Sequence, residues 1–314
     1  MDKTYDVIVL GAGPAGLTAG LYAARSGLAT LILERGVDGG QIANTNDVEN
    51  YPGQVVGGEP GPQLVARMAQ QAEGFGAERA TDDIASVELA GPEKVFRGTL
   101  GTYRSRAAIL ATGAHPRPIG CRGEQDFVGR GISFCATCDG PFFRGLDVYV
   151  VGGGDAAVEE AIYLTSFARH VTVIHRRDQL RAAKAIQDRA FANPKVSFLW
   201  NSVVDEVGGT DGMLSRLVVR NVRTGELTTI EASPEDGMLG LFGFVGLLPS
   251  TGLVEGQVDL DERGYVVAGE DTRTNLPGVF AAGDLRQKGL RQVVTAVADG
   301  AVAAHEAYRY LQEA

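Results

Sequence analysis

The stretch Asp6-Val-Ile-Val-Leu-Gly-Ala-Gly-Pro-Ala-Gly16 decides the fold. Its apolar run, through Val7–Leu10, reads as a short buried strand, and it breaks directly into a G-x-G-x-x-G turn. Leu17–Ser26 then reads as a helix stopped by Gly27, and Thr30–Glu34 as a second strand. This is the strand–turn–helix–strand unit that binds a dinucleotide. Gly11 permits the tight turn, Gly13 lets backbone approach a pyrophosphate, and Gly16 lets helix and strand pack closely, with Pro14 and Ala15 completing the turn. The helix start offers free N–H groups and partial positive charge to phosphates. Glu34, with Arg35 beside it, ends the second strand, where a carboxylate accepts ribose hydroxyls and repels a 2′-phosphate.

The unit occurs twice. Asp147-Val-Tyr-Val-Val151 is a strand, Gly152-Gly-Gly-Asp-Ala-Ala157 the turn, Val158–Ala168 a helix and His170–Ile174 a second strand. His175 lies 23 positions after Gly152, as Glu34 lies 23 after Gly11 (175 − 152 and 34 − 11). Gly152, Gly154, Asp155, Ala156 and Ala157 are the matching turn residues. His175 is followed by Arg176, Arg177 and Arg181, a cationic cluster where the first unit has an anion. Guanidinium forks bind phosphate well, so the second site is expected to take NADPH; a solvated basic turn is the plain alternative.

Ala107–Gly113 and Leu241–Gly246 read as return strands that close each sheet. The expected class is α/β: two Rossmann-like, three-layer dinucleotide-binding domains, the second inserted into the first. The boundaries are 1–114 and 245–314 for the FAD domain and 115–244 for the NADPH domain. Near the end, an apolar strand runs into Gly283-Asp284, where a carboxylate can reach a ribityl hydroxyl. Arg291 then opens an apolar helical segment, Val293–Leu311, whose N-terminus would stabilise negative charge on a reduced flavin. Two dinucleotide sites with this Gly-Asp predict FAD together with a nicotinamide.

Between the units stands Ser133-Phe-Cys-Ala-Thr-Cys-Asp-Gly140. A Cys-x-x-Cys pair closes a small disulfide, and a thiolate from it attacks another disulfide. A helix beginning at Cys138 would lower that thiol's pKa, and Asp139 stands next to it as a proton carrier. Zinc is the alternative, but tetrahedral sites take four ligands, and none of the four His lies in ligand spacing beside the pair, so no metal is expected. Cys121 reads as a small packed hydrophobe.

The net charge of −10 disfavours nucleic acid, whose binding needs a basic face. The polar start and the lack of a long apolar run predict a cytoplasmic chain with no membrane span.

Taken together, the motifs resemble bacterial-type, low-molecular-weight thioredoxin reductases end to end. The matching pieces are Gly11–Gly16, Gly39-Gly-Gln-Ile42, Val48-Glu-Asn-Tyr-Pro-Gly53, Ala111-Thr-Gly113, Cys135-Ala-Thr-Cys-Asp139, Gly152–Ala157, His175-Arg-Arg177 with Arg181, Gly283-Asp284 and Arg291-Gln292. They add Gly40, Ala111, Thr112, Gly113 and Val293 to the candidate cofactor residues. The resemblance implies an FAD enzyme that uses NADPH to reduce thioredoxin and works as a homodimer. It implies that Cys138 faces the flavin, that Cys135 attacks the thioredoxin disulfide and that Asp139 is the acid/base. Gln41, Asn50, Asp284 and Gln292 are its implied FAD contacts. Arg130, Phe142 and Phe143 resemble a thioredoxin-docking segment, with core packing as the alternative for the two aromatics. The chain departs from the family at Ser250, where Asn is usual, at His115 and Cys121, and at Asp155, where some members carry Asn.

Because the inserted domain holds both the nicotinamide and the dithiol, it must present two partners to one flavin. Rotation about the crossings near 114–118 and 244–247 does this. Rival readings are the same fold fed by NADH or ferredoxin or acting on another disulfide, a non-catalytic flavin redox sensor, and a zinc-stabilised nucleotide-binding module.

Overall fold

The computed structural model describes residues 4–44, 48, 50–54 and 58–313, and only the backbone of Asn44, Thr137 and Cys138. The chain divides into two compact units, Met1–His115 with Leu248–Ala314, and Pro116–Leu247.

In unit 1, the strand Thr4–Leu10 lies between two parallel neighbours, Thr30–Glu34 and Thr102–Leu110. Val7 pairs with Thr30 on one side and Ala107 on the other. Glu78–Thr81 extends the sheet beyond Thr30–Glu34, and Val279–Ala281 pairs with the last residues of Thr102–Leu110. An antiparallel hairpin, Ile84–Glu88 and Lys94–Gly98, pairs with the first half of that long strand. Alternate residues of a strand point to opposite faces. Val7 and Val9 therefore join the core under the helices Pro14–Arg25, Gly61–Gly74 and Val293–Glu313. Ile8 and Leu10 join a second core with Phe96, Val254 and Val266. Burial on both faces explains the unbroken apolar run that marked this strand in the sequence.

Unit 2 repeats the plan. Asp147–Val151 lies between His170–His175 and Gly240–Gly243, all parallel. Val196–Trp200 and Ile132–Ser133 form the two edges. The helix Asp155–Leu164 covers one face through Ala157, Ala161 and Leu164. An antiparallel meander, Ser202–Thr210, Met213–Asn221 and Leu227–Glu231, covers the other through Val204, Leu214 and Leu217.

Element boundaries moved where local chemistry outranked apolar pattern. The first helix starts at Pro14, three residues before the expected Leu17, because proline's fixed φ and missing N–H suit the first helical position. The second starts at Asp155 and stops at Leu164 rather than Ala168. There the Thr165 hydroxyl donates to the Ile162 carbonyl at 2.6 Å, competing with the helical ladder. The return strands are Thr102–Leu110 and Gly240–Gly243.

Candidate functional site

The first glycine turn is built by exclusion. Gly11 has φ +106°, and a Cβ there would stand 2.4 Å from the Ala111 carbonyl oxygen. A Cβ on Gly16 would lie 1.8 Å from the Gly11 oxygen, so helix and turn touch backbone to backbone. At the end of the second strand, Glu34 accepts the Ala12 N–H at 2.7 Å through Oε2. Its Oε1 accepts the N–H groups of Arg35 and Gly36 at 2.8 and 3.1 Å. The carboxylate is thereby fixed beside the turn.

A cavity of about 960 Å³ opens over this turn, within unit 1. Gly11, Gly13, Pro14, Ala15, Glu34 and Arg35 line one part of it. Gly40, Gln41, Ala111, Thr112 and Gly113 line another, and Gly283, Asp284, Arg291, Gln292 and Val293 a third. Gly16 instead serves packing. Asn50 does not line the cavity but donates to the Gln292 side chain at 3.1 Å. Glu49, part of the motif around it, lies outside the described residues.

Residues that meet a flavin dinucleotide's needs are present here. Asp284 Oδ1 is buried with no hydrogen-bond partner among the described residues, as is Arg291 Nε. Burial pushes the Asp284 carboxyl above its usual range, against the pull of Lys288 and Arg291. An orphaned buried acceptor is costly and marks a place where a hydroxyl donor belongs. The Arg291 guanidinium lies over the Tyr265 ring, 4.1 Å from its centroid.

Sequence reading missed part of the lining. Asp82 and Asp83 contribute to the wall, as do His115 and Ser250, whose Nδ1 and Oγ stand 3.3 Å apart. Asp82 is buried and accepts from Thr99 Oγ1, Leu100 N–H and Tyr103 Oη. No local motif marks these residues; only the sheet brings them to the cavity. His115 and Ser250 were visible as departures from the family pattern, which was the one available signal.

The second turn has the same backbone plan with other contents. Gly152 has φ +155°, and Gly153 lies on the His175 ring, where a Cβ would approach Cε1 to 2.3 Å. His175 is buried, edge-on to Trp200, and its Nε2 has no partner among the described residues. Burial, then the charges of Arg181, Arg177 and Arg176, push its pKa below 6.5. Arg176, Arg177 and Arg181 are exposed. The Arg181 N–H donates to the Gly153 carbonyl at 2.7 Å, and Asp155 Oδ1 accepts the Ala183 N–H at 2.6 Å. So the arginines surround the turn at the surface, while His175 supports it from beneath.

Cys135 is disulfide-bonded, and Cys121 is a free thiol. The side chain of Cys138 lies outside the described residues. Cys135 follows the edge strand Ile132–Ser133, and its N–H donates to Ser133 Oγ at 3.0 Å. The short helix runs Ala136–Asp139, so it begins two residues before Cys138 rather than at it, followed by a 3₁₀ turn over Gly140–Phe143. The Cys121 thiol is buried, and burial with the charges of Glu124 and Asp205 pushes it up to about 11. It is unreactive packing, as expected of a buried thiol.

The proposed docking residues separate. Arg130 is exposed, and Phe142 is 77% exposed. Phe143 is 5% exposed and packs edge-on against Phe242, centroids 5.1 Å apart. Phe143 is therefore core and is withdrawn from the docking set, because a side chain enclosed in a packed interior presents no surface.

Two duplicated dinucleotide turns, one with an anion and one with cations at the end of the second strand, plus a disulfide-bonded cysteine between them, define a nucleotide-linked disulfide oxidoreductase. The chain belongs to the pyridine nucleotide-disulphide oxidoreductase family, whose model matches residues 5–300. It is 51% identical over 313 residues to the thioredoxin reductase of Peptoclostridium litorale, covering 100% of this chain and 99% of that one. It is 49% identical to the thioredoxin reductase of Listeria monocytogenes, covering 99% of this chain and 95% of that one. The crystal structure of Lactococcus lactis thioredoxin reductase in its FR conformation superposes with a TM-score of 0.88 at 46% identity, covering 99% of this chain and 100% of that chain. Among the described residues, no helix is long and apolar enough to cross a membrane.

Proposed function

We propose that this chain is a thioredoxin reductase that binds FAD in unit 1 and NADPH in unit 2 and reduces its partner through Cys135 and Cys138. The observation that carries the reading is the disulfide-bonded Cys135 placed between two dinucleotide turns of opposite charge. The family match and the named relatives, similar over the whole length, support it.

Bound FAD would supply a two-electron relay between the nicotinamide and the dithiol. Glu34 and the turn at Gly11–Gly16 would hold its adenosine and pyrophosphate end, and Asp284 its ribityl chain. Arg176, Arg177 and Arg181 would grip the 2′-phosphate that distinguishes NADPH from NADH. In the dithiol state, a Cys135 thiolate attacks one sulfur of the thioredoxin disulfide and expels the other as a thiolate. Cys138 then attacks Cys135, releasing reduced thioredoxin and restoring the Cys135–Cys138 disulfide. Asp139 carries the proton. Arg130 and Phe142 form the docking surface. Rotation of the inserted unit between half-reactions, a homodimer and a cytoplasmic location complete the proposal.

An anaerobic titration tests it. NADPH should bleach the flavin band at far lower concentration than NADH, and added thioredoxin should return the colour. Cys135→Ser should keep bleaching by NADPH and lose thioredoxin turnover entirely. A yellow protein that NADPH does not reduce, or a Cys135→Ser variant that still turns over thioredoxin, would overturn the assignment.

A further inference from the structure

Two carboxylates flank Lys288, and they are in opposite states. Asp299 sits inside the helix Val293–Glu313, where a buried carboxylate is destabilising unless paired. It is saturated. Its Oδ2 accepts the Gly283 N–H at 3.0 Å, Arg286 Nε at 2.8 Å and Lys288 Nζ at 3.0 Å. Its Oδ1 accepts Arg286 Nη2 at 2.8 Å. Four donors thus converge on this one carboxylate, three sharing Oδ2 and one on Oδ1, as many as its roughly four lone-pair sites in total. Although burial pushes Asp299 upward, the hydrogen bonds from Arg286 and Lys288 bring it below the usual range.

Asp284 is open. Its Oδ1 forms an ion pair with Lys288 Nζ at 3.6 Å, beyond hydrogen-bond distance, and has no hydrogen-bond partner among the described residues. It lines the flavin cavity. Lys288 spends its other donors on Asp299 and on Thr295 Oγ1 at 3.3 Å. Arg286 continues the file through Nη1 to the carbonyls of Ala268 and Gly269. The order is Asp284, Lys288, Asp299, Arg286, with alternating charge and no net charge. The charges that bear on Asp284 are Lys288, Arg291 and Asp299, with Arg286 beyond.

We propose that Asp299 and Lys288 are positioning residues for the flavin site: Asp299 locks the Gly283-Asp284 corner to the C-terminal helix, and Lys288 holds the Asp284 carboxylate as the cavity's anionic acceptor. Both act through Asp284. A closed carboxylate absorbs the guanidinium and most of the ammonium, which leaves the open one to a ligand hydroxyl. The inference rests on the reading of this cavity as the FAD site and adds the residues that prepare it.

The test measures FAD dissociation from the protein in a double-mutant cycle. Lys288→Met should raise the Kd for FAD by about tenfold at pH 7, as loss of one charge-assisted contact does. The loss should deepen as pH falls, because without the ammonium Asp284 takes up a proton more readily and ceases to be an anionic acceptor. Lys288→Arg should recover most of the affinity. In the Asp284→Asn background, Lys288→Met should change Kd less than about twofold and show no pH slope. The same factor in both backgrounds, or a pH-independent loss, would make Lys288 a merely structural residue and overturn the proposal. If Lys288→Met does not fold, Lys288→Gln carries the same cycle with the same outcomes. A wild-type chain with no affinity for FAD would instead sink the site reading itself, and the inference with it.

Discussion

The two glycine turns share a backbone plan and differ in what occupies it. In the first, glycines are demanded by backbone: the oxygens of Ala111 and Gly11 fill the space where side chains would go. In the second, the Phe244 carbonyl oxygen closes Gly152 in the same way, 2.6 Å from where a Cβ would stand, while Ala157 stands where the first has Gly16 and the His175 ring fills the space beneath Gly153. The ends of the second strands differ as well. Glu34 is pinned by three backbone N–H groups beside the cavity. His175 is buried, and the exposed arginines take over its place at the surface. The comparison teaches that one fold unit, copied within a chain, is specialised by a handful of side chains at the strand ends, while a backbone carbonyl closes the first glycine of both turns and only the last turn position differs.

The largest break in that comparison comes from exchanging the closing residues. Gly16→Ala puts a Cβ against a carbonyl that cannot yield without moving the turn, so it should cost about 3 kcal/mol and release the flavin. Urea unfolding and retained flavin absorbance measure both. Next in size, on the proposed reading of the arginines as the 2′-phosphate grip, Arg176→Ala with Arg177→Ala should raise the Kd for NADPH about a hundredfold and change that for NADH about threefold at most. Equal losses for both nucleotides would turn the basic cluster into a general anchor rather than a selector.

A smaller effect sharpens the steric contrast. Ala157→Gly, the reverse exchange in the second turn, should cost only about 1 kcal/mol, chiefly helix propensity, and leave NADPH binding intact. A loss as large as that of Gly16→Ala would show that the last turn position is as tightly constrained in the second turn as in the first. The smallest effect is a pH dependence. His175 is held below 6.5 when folded, so the unfolded chain binds its proton more readily. Its contribution to stability is complete above about 6.5 and is lost as pH falls toward the folded value. Melting temperatures between pH 7.5 and 5 should therefore fall less steeply in His175→Phe than in the wild type; parallel slopes would count against a buried neutral imidazole.

How far the sequence could be read follows from range. The glycine turns, Glu34, the arginines and the Cys-x-x-Cys depend on contacts within about one unit, and local spacing records them. The seven residues from Gln287 to Val293 gave Arg291 and Gln292 through motif alone, while Lys288 passed unnoticed because its partner Asp299 lies eleven positions away in a segment read as one long apolar helix. Phe142 and Phe143 are adjacent and identical in composition, and sequence offers no means of telling them apart; their positions around a 3₁₀ turn sent one outward and the other onto Phe242.

By itself the sequence determined the α/β class, the duplication of a dinucleotide unit, the opposite charges at the two strand ends and the dithiol between them. These are properties of short segments, set by strand and helix periodicity and by residues a turn cannot do without. The tertiary structure alone decided that His175 is buried under its own turn, that Phe143 is core, that His115 meets Ser250 across 135 residues and that Asp299 is closed while Asp284 stays open. Each of these depends on which side chains the sheets and helices bring within a few ångströms, and hydrogen-bond saturation and burial are set only at that distance.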